Sequence, residues 1–112
     1  MKDCELSGAD LSGENLSEAN LEGANLSGAN LSGANLKLAK LISANLSKVE
    51  FSGANIVGVN FHKANLSGTD FTVISKASVT GSIFDGANLS NANFEGVKFF
   101  DDRVWMAPIE SY

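Results

Sequence analysis

Large apolar residues recur at every fifth position along most of this chain. A small residue, most often Ala, lies two positions before each of them, and the position between the two is most often Asn. Ser and then Gly usually follow, so the local consensus is Ala-Asn-Leu-Ser-Gly. Fourteen apolar positions follow one another without a gap: Leu6, Leu11, Leu16, Leu21, Leu26, Leu31, Leu36, Leu41, Leu46, Phe51, Ile56, Phe61, Leu66 and Phe71.

The register of this pattern breaks once, after Phe71. The next apolar residue in good register is Val79, eight positions further on rather than five, and the spacing of five then resumes as far as Phe99. Residues 72–78 therefore contain three additional residues. We expect a bulged corner or a short loop there.

A period of five fits neither of the common regular structures. An α-helix turns about 100° per residue, so residues five apart would wind around the whole helix and form no apolar stripe. A flat strand alternates every two residues, which gives no uniform period of five. A short extended stretch followed by a turn does fit, because residues two apart point to the same side and Gly permits the corner. The Ala and Leu positions are therefore predicted to face inward and the Asn between them outward.

These residues resemble the pentapeptide-repeat family, whose consensus is A(D/N)LXX, over about residues 4–99. The resemblance implies an all-β fold, a right-handed quadrilateral β-helix with four repeats per coil and about five coils. We expect the repeat domain to span residues 1–99. A single repeat cannot bury its own Leu, but stacked coils bury a continuous column.

A coil of twenty residues would align positions twenty apart. The Asn residues at 25, 45, 65 and 88 are then predicted to form an outward ladder with hydrogen bonds along it. Cys4 occupies an Ala position and is interpreted as a small core residue. Glu14 also occupies an Ala position, where a buried carboxylate would be costly, so we expect it at a water-accessible end of the repeat.

The last thirteen residues, 100–112, leave the repeat pattern and form a short non-repeat segment. We expect this segment either to fold over the last coil as a cap or to make a homodimer contact, so the chain is expected to be a monomer or a C-terminal homodimer. The large residues that would serve either purpose are Phe100, Trp105, Met106, Ile109 and Tyr112.

Composition narrows the function further. The net charge is −5, which disfavours direct nucleic-acid binding because phosphates need Lys or Arg. The sequence shows no secretory signal and no apolar run long enough to span a membrane, so a cytoplasmic, bacterial-type location is expected. One Cys cannot form an internal disulfide.

The sequence offers no catalytic constellation, and we expect no catalytic, cofactor-binding or metal-binding residues and no small-molecule substrate. His62 is the only His, so the chain has no second His for a catalytic triad and no pair of His ligands for a metal. Counting positions along the coils places His62 next to Asp85, so the two side chains are predicted to pair.

Function is therefore expected on the outer surface, in a non-enzymatic structural or interaction module that binds an unidentified protein. A partly apolar, locally basic patch is the first candidate, because exposed apolar clusters often mark partner sites. The alternative is that these are scattered surface hydrophobes without a role. The patch comprises Leu38, Ile42, Val57, Ile83, His62 and Lys40.

An acidic strip is the second candidate. It comprises Asp10, Glu50, Asp70 and Glu95. Some family members protect topoisomerases from quinolones by imitating DNA, and the resemblance therefore implies an alternative function as a DNA-mimicking gyrase-binding protein. Against this alternative, the chain is short, its charge is modest and its middle is basic.

Overall fold

A computed structural model of the protein describes residues 2–71 and 81–93. In these ranges the chain forms no helix and no strand longer than one bridging residue. Isolated parallel bridges instead join every fifth residue to the residue twenty positions further on, from Glu5 and Asn25 to Glu50 and Asp70. The predicted extended segments are therefore each a single bridging residue long, because turns take up the rest of each repeat.

Three kinds of backbone hydrogen bond connect one revolution of the chain to the next. One joins corner residues, as from the amide of Gly8 to the carbonyl of Ser27 at 2.9 Å, and the other two flank each bridge. The amide of Leu6 donates to the carbonyl of Asn25 at 2.7 Å, and the amide of Asn25 donates back to the carbonyl of Cys4 at 2.8 Å. The same pair of bonds recurs at each repeat; the amide of Leu26, for example, donates to Asn45. Each revolution therefore takes twenty residues, which is four repeats.

A turn closes each repeat. The amide of Ala9 donates to the carbonyl of Leu6 at 3.0 Å, and Gly8 between them has φ of 70°. A positive φ at the third residue of a hydrogen-bonded turn is the signature of a type II turn, which explains the Gly of the consensus. At seven described corners a residue other than Gly adopts this conformation, among them Leu38, Lys48 and Lys63.

The Asn residues of the consensus stabilise these turns. The Oδ1 atom of Asn25 accepts a hydrogen bond from the amide of Ser27 at 3.1 Å, and the same bond recurs at most repeats. The predicted outward Asn column is confirmed, since Asn25, Asn45, Asn65 and Asn88 bridge one another in turn. The described hydrogen bonds to their amide oxygens lie within the turns, not along the column. The side-chain bond between revolutions that the structure shows here joins Asn25 Nδ2 to Glu5 at 3.0 Å.

The apolar columns fill the interior as the pattern predicts. Every large apolar position from Leu21 to Phe71 is at most 1% exposed, as are Phe84 and Leu89. Four Phe rings form a closed box in this core: Phe51 stacks on Phe71 at 5.2 Å, Phe61 stacks on Phe84 at 5.0 Å, and edge contacts of 6.1 Å join the two stacks. Leu46 is buried in the column that contains Leu26 and Leu66, so Leu46→Ala would open a cavity there.

The register shift predicted after Phe71 is confirmed. Asn60 bridges Ile83, which is twenty-three rather than twenty positions away, so three additional residues are absorbed between revolutions. The buried hydroxyl of Ser82, the first described inward residue after the shift, donates to the carbonyl of Ile56 at 2.6 Å. The segment 72–78 lies outside the described residues, and so do the predicted domain boundary after residue 99 and the segment 100–112.

Two unusual inward positions lie in the first revolution. Glu14 is exposed, as expected for a carboxylate at a water-accessible end of the repeat. Cys4 is partly buried, is a free thiol and packs against the core, which confirms its interpretation as a small core residue.

Candidate functional site

One side of the solenoid departs from the repeat consensus more than its neighbours. The position after the large apolar residue is Ser throughout the side that contains Leu26, namely Ser7, Ser27, Ser47, Ser67 and Ser90. On the side that contains Leu41 the same column reads Glu22, Ile42, His62 and Asp85. Because Ser suffices for the turn elsewhere, the fold does not demand these replacements. We call residues 19–23, 39–43, 59–63 and 82–86 the variable side.

The other outward column of the variable side alternates in character. Lys40 bridges Asn60, and Asn60 bridges Ile83, so Lys40 and Ile83 share one column with a single Asn between them. Ile83 is 37% exposed and Lys40 is exposed. Neither residue offers the side-chain oxygen that Asn supplies to its turn, so their presence again serves something other than the turn.

His62 and Asp85 form an ion pair between two revolutions of the variable side. His62 Nδ1 lies 3.2 Å from Asp85 Oδ2, and each side chain is a little over one third exposed. This geometry confirms the predicted pairing of the two residues. Ile42 lies one revolution before His62 in the same column, since Ser43 donates its amide to the carbonyl of His62 at 2.9 Å.

Leu38 occupies the corner where the variable side meets the preceding side. It is 50% exposed and adopts φ of 63°, a left-handed conformation that costs most residues roughly 1–2 kcal/mol. Its side chain covers the backbone of Gly58, where an added Cβ would lie 2.7 Å from Leu38 Cδ2. Its amide donates to the carbonyl of Val57 at 2.8 Å. A strained, exposed Leu at a Gly position therefore sits beside a second apolar residue.

The structure thus places the six residues of the predicted patch on the variable side and on the two corners that flank it. Leu38 contacts the chain at Val57, Ile42 adjoins His62, and Lys40 shares its column with Ile83. Ile42, Val57 and His62 are half-buried, whereas the other three are exposed. We keep the name apolar-basic patch for these residues: Leu38, Lys40, Ile42, Val57, His62 and Ile83.

Sequence reasoning left two neighbours out of the patch. Lys63 occupies the next corner at φ of 58°, and its amide donates to the carbonyl of Asp85 at 3.0 Å. Gly58 provides the bare backbone over which Leu38 lies. The sequence contained a signal for both residues at the corner position of the repeat. Lys48, Leu38 and Lys63 are long side chains at that position, and each is followed one revolution later by a Gly.

The predicted acidic strip is brought together only in part. Asp10, Asn30, Glu50 and Asp70 bridge one another in sequence, so the acidic residues share a column that Asn30 interrupts. Glu50 and Asp70 lie one revolution apart. Glu95, the fourth predicted member, lies outside the described residues.

Two carboxylates of the first revolution, those of Glu5 and Asp10, accept the hydrogen bond from the turn amide that Asn accepts in other repeats. The hydroxyl and the amide of Ser7 donate to Glu5, and these bonds, together with one from Asn25, lower the pKa of Glu5. The hydroxyl of Ser12 at 2.7 Å and its amide at 3.1 Å likewise lower the pKa of Asp10. Both carboxylates therefore stabilise their turns most strongly in the charged form.

Within residues 2–71 and 81–93, no group of three or more His, Cys, Asp or Glu side chains is arranged to hold a metal ion. The same ranges contain no helix long and apolar enough to cross a membrane. The predicted cap or dimer residues Phe100, Trp105, Met106, Ile109 and Tyr112 lie outside the described part of the chain.

These features define a class: a repeat solenoid with a buried apolar core and a surface that varies on one side. Comparison with family models identifies it further. The model of pentapeptide repeats matches in 8 copies over residues 1–37, 34–72 and 74–99. The chain belongs to the pentapeptide-repeat family. No curated protein is significantly similar to it in sequence.

The chain is also similar to solved structures. The pentapeptide-repeat protein Rfr23 from the cyanobacterium Cyanothece 51142 is 32% identical, with a TM-score of 0.63 over 83% of this chain and 58% of that one. HetL from Nostoc sp. strain PCC 7120, involved in regulating heterocyst differentiation, is 24% identical, with a TM-score of 0.49 over 88% of this chain and 61% of its own. The chain thus spans about three fifths of the length of these proteins. Pentapeptide-repeat proteins form right-handed β-helices.

Proposed function

We propose that this protein is a non-enzymatic interaction module that binds another protein through the apolar-basic patch. The proposal includes the finer architecture expected from the sequence, a right-handed four-sided β-helix of about five coils that presents the patch on a rigid surface. Proteins of this family are in general structural or interaction modules. A cytoplasmic location belongs to the same proposal.

The single observation that carries the proposal is Leu38. Gly occupies this corner in two of its four described revolutions, at Gly58 and Gly81, and Gly would adopt the positive φ without cost. Leu38 instead adds strain and places a large apolar side chain half in water. A residue that is unfavourable for the isolated chain is explained if a partner buries it, since burial of a Leu side chain contributes roughly 1.5–3 kcal/mol.

The neighbours of Leu38 support the same interpretation. Val57 and Ile42 replace the Ser that the repeat uses elsewhere, and Ile83 replaces the Asn. Apolar side chains at polar consensus positions gather on the variable side and its two flanking corners instead of being spread over all four sides. An exposed apolar cluster rimmed by Lys side chains is the pattern of a protein contact.

The repeat itself supplies variants that test the proposal. Leu38→Gly, Ile42→Ser and Val57→Ser each restore the consensus, so a chain carrying all three should keep its fold while it loses the patch. We expect affinity purification followed by quantitative mass spectrometry to show partners of the native chain that the triple variant no longer retains. Lys48→Gly is the matched control, since it makes the same corner substitution on the side that contains Leu46. Partners retained equally by all three chains would refute the patch.

A second candidate function rests on the acidic column. Asp10, Glu50 and Asp70 lie on one side of the solenoid, as a DNA mimic would require. QnrB1, a plasmid-mediated fluoroquinolone resistance protein, is 18% identical with a TM-score of 0.47, which is too distant to support a shared function. A gyrase supercoiling assay tests this alternative, and Asp10→Asn with Asp70→Asn should abolish any effect. Unchanged supercoiling at high protein concentration would eliminate it.

The role of the C-terminal segment stays a prediction. If residues 100–112 make a homodimer contact, light scattering should give twice the chain mass, and Trp105→Ala should return it to the monomer mass. A monomer at high concentration would leave the cap as the expected role.

A further inference from the structure

We infer that the partner presents carboxylate groups beside apolar side chains, so that the apolar-basic patch recognises an acidic segment of another protein. This inference rests on the proposed function and specifies the chemistry of its partner. The observation behind it is the charge of the patch region, which is opposite to that of the chain as a whole.

The charge inversion is confined to two revolutions on two adjoining sides. Residues 34–43 and 54–63 contain three Lys, one His and no acidic residue, although the net charge of the chain is −5. The three Lys side chains are exposed, and none of them forms an ion pair with another described residue. They are Lys37, Lys40 and Lys63.

The apolar and basic groups alternate from one corner of the variable side to the next. Lys37 precedes Leu38 on the chain and lies one revolution before Val57, and Lys40 lies between Leu38 and Ile42. Lys63 lies on the following corner, where it borders His62. A partner that inserts an apolar side chain against Leu38 therefore meets an ammonium group on either side. Carboxylates flanking that side chain would form ion pairs there, and would also gain from longer-range attraction during encounter.

Acidic groups of the chain itself border this region on both ends. Glu18 and Glu22 lie in the preceding revolution, with Glu22 3.8 Å from Lys2, and Asp85 lies in the following one, where His62 pairs with it. These carboxylates repel a partner that is acidic throughout. They therefore favour a short acidic segment centred on the Lys residues over an extended polyanion.

This arrangement also distinguishes a protein segment from the other polyanions. A nucleic acid or an anionic membrane would meet the whole acidic chain, whose charge of −5 opposes both. Three Lys residues cannot offset that repulsion over an extended surface. An apolar contact at Leu38, Ile42 and Val57 adds nothing to the binding of a phosphate backbone.

The experiment selects binders from a display library of random twelve-residue peptides. The purified native chain is the target, and the variant carrying Leu38→Gly, Ile42→Ser and Val57→Ser removes peptides that bind elsewhere. We expect the selected peptides to carry Asp or Glu on either side of Leu, Ile or Phe. Synthetic versions are then titrated by fluorescence anisotropy.

A consensus-restoring charge variant measures the role of the Lys residues. The variant that combines Lys37→Ser, Lys40→Asn and Lys63→Gly should bind a selected peptide with about tenfold lower affinity, as expected for the loss of three exposed ion pairs. Lys48→Gly, the control, should leave affinity unchanged. Raising the salt concentration from about 0.1 to 1 M shortens the Debye length from roughly 10 to 3 Å and should remove most of this difference.

The outcomes separate the two levels of the proposal. Peptides that distinguish the native chain from the apolar variant, yet lack acidic residues and ignore the Lys substitutions, would overturn the acidic partner and leave the protein-binding function standing. The absence of any peptide that distinguishes the two chains would overturn both. Tighter binding to anionic lipid vesicles or to a random DNA duplex than to the selected peptides would likewise refute an acidic protein partner.

Discussion

His62 and Asp85 are joined by an ion pair of 3.2 Å across twenty-three residues, although the repeat otherwise joins positions twenty apart. The pair spans the register shift, next to the bridge between Asn60 and Ile83. It connects the revolution before the additional residues to the one after them. The offset shows that the solenoid resumes its stacking after the shift without losing its columns.

This ion pair is expected to contribute little stability because both side chains are more than one third exposed. A double-mutant cycle with His62→Ser and Asp85→Ser should give a coupling free energy of about 0.2–1 kcal/mol. The coupling should decrease at about 1 M salt. A coupling that is unaffected by salt would show that the two residues interact by packing instead.

The buried column predicts a large effect at Leu46, which is 0% exposed. Leu46→Ala should lower the free energy of unfolding by about 2–5 kcal/mol, since the rigid coils above and below cannot collapse into the cavity. Urea denaturation measures this change. Ser47→Ala, at the outward neighbour, should change it by less than about 0.5 kcal/mol. Equal effects at the two positions would contradict the assignment of inward and outward sides.

The contact between Leu38 and Gly58 predicts that Ala at position 58 destabilises the protein more than Ala at a corner without such a contact. Gly58→Ala should destabilise the protein by about 1–3 kcal/mol, because Ala resists the positive φ and its Cβ would meet Leu38. Gly28→Ala is the control: φ is also positive there, but nothing lies within 4 Å of the added Cβ. Thermal denaturation should show a smaller loss for the control.

The combined variant separates strain from clash at this corner. Gly58→Ala should lower stability more than Gly28→Ala does, and adding Leu38→Gly to Gly58→Ala should restore that additional loss of stability. A combined variant as unstable as Gly58→Ala alone would show that Leu38 is not the obstacle.

The turns of Glu5 and Asp10 predict a loss of stability in acid. Hydrogen bonds from Ser7 and Ser12 lower the pKa of these carboxyls in the folded protein, so the unfolded chain binds protons more readily than the folded one. Their contribution is therefore complete above the usual carboxyl range, about pH 4, and is lost as the pH falls through the lowered values. Urea midpoints measured from neutral pH to about pH 3 should decrease.

Matched amides test the assignment of this acid sensitivity. Asp10→Asn and Glu5→Gln keep a side-chain oxygen for the turn but cannot titrate. The double variant should lose less stability over the same pH range than the native chain. An identical pH dependence would assign the acid sensitivity to other carboxyls.

The five-residue pattern alone determined which side chains face inward. Ala and Leu two apart must share one side of an extended segment, and Gly at the corner must permit the turn, so the buried positions from Leu21 to Phe71 and the outward column that contains Ser47 could be read directly. Both rules act within one repeat. They need no knowledge of the residues one revolution away.

Contacts between revolutions were decided by the tertiary structure. A period of five is compatible with different numbers of repeats per revolution, and only the bridges fix four. That number and the three additional residues after Phe71 place His62 beside Asp85, as the sequence predicted, whereas only the structure shows that Leu38 covers Gly58. The sequence likewise did not reveal that the Asn oxygens bond their own turns, because the choice between turn and ladder depends on distances that only stacked coils define.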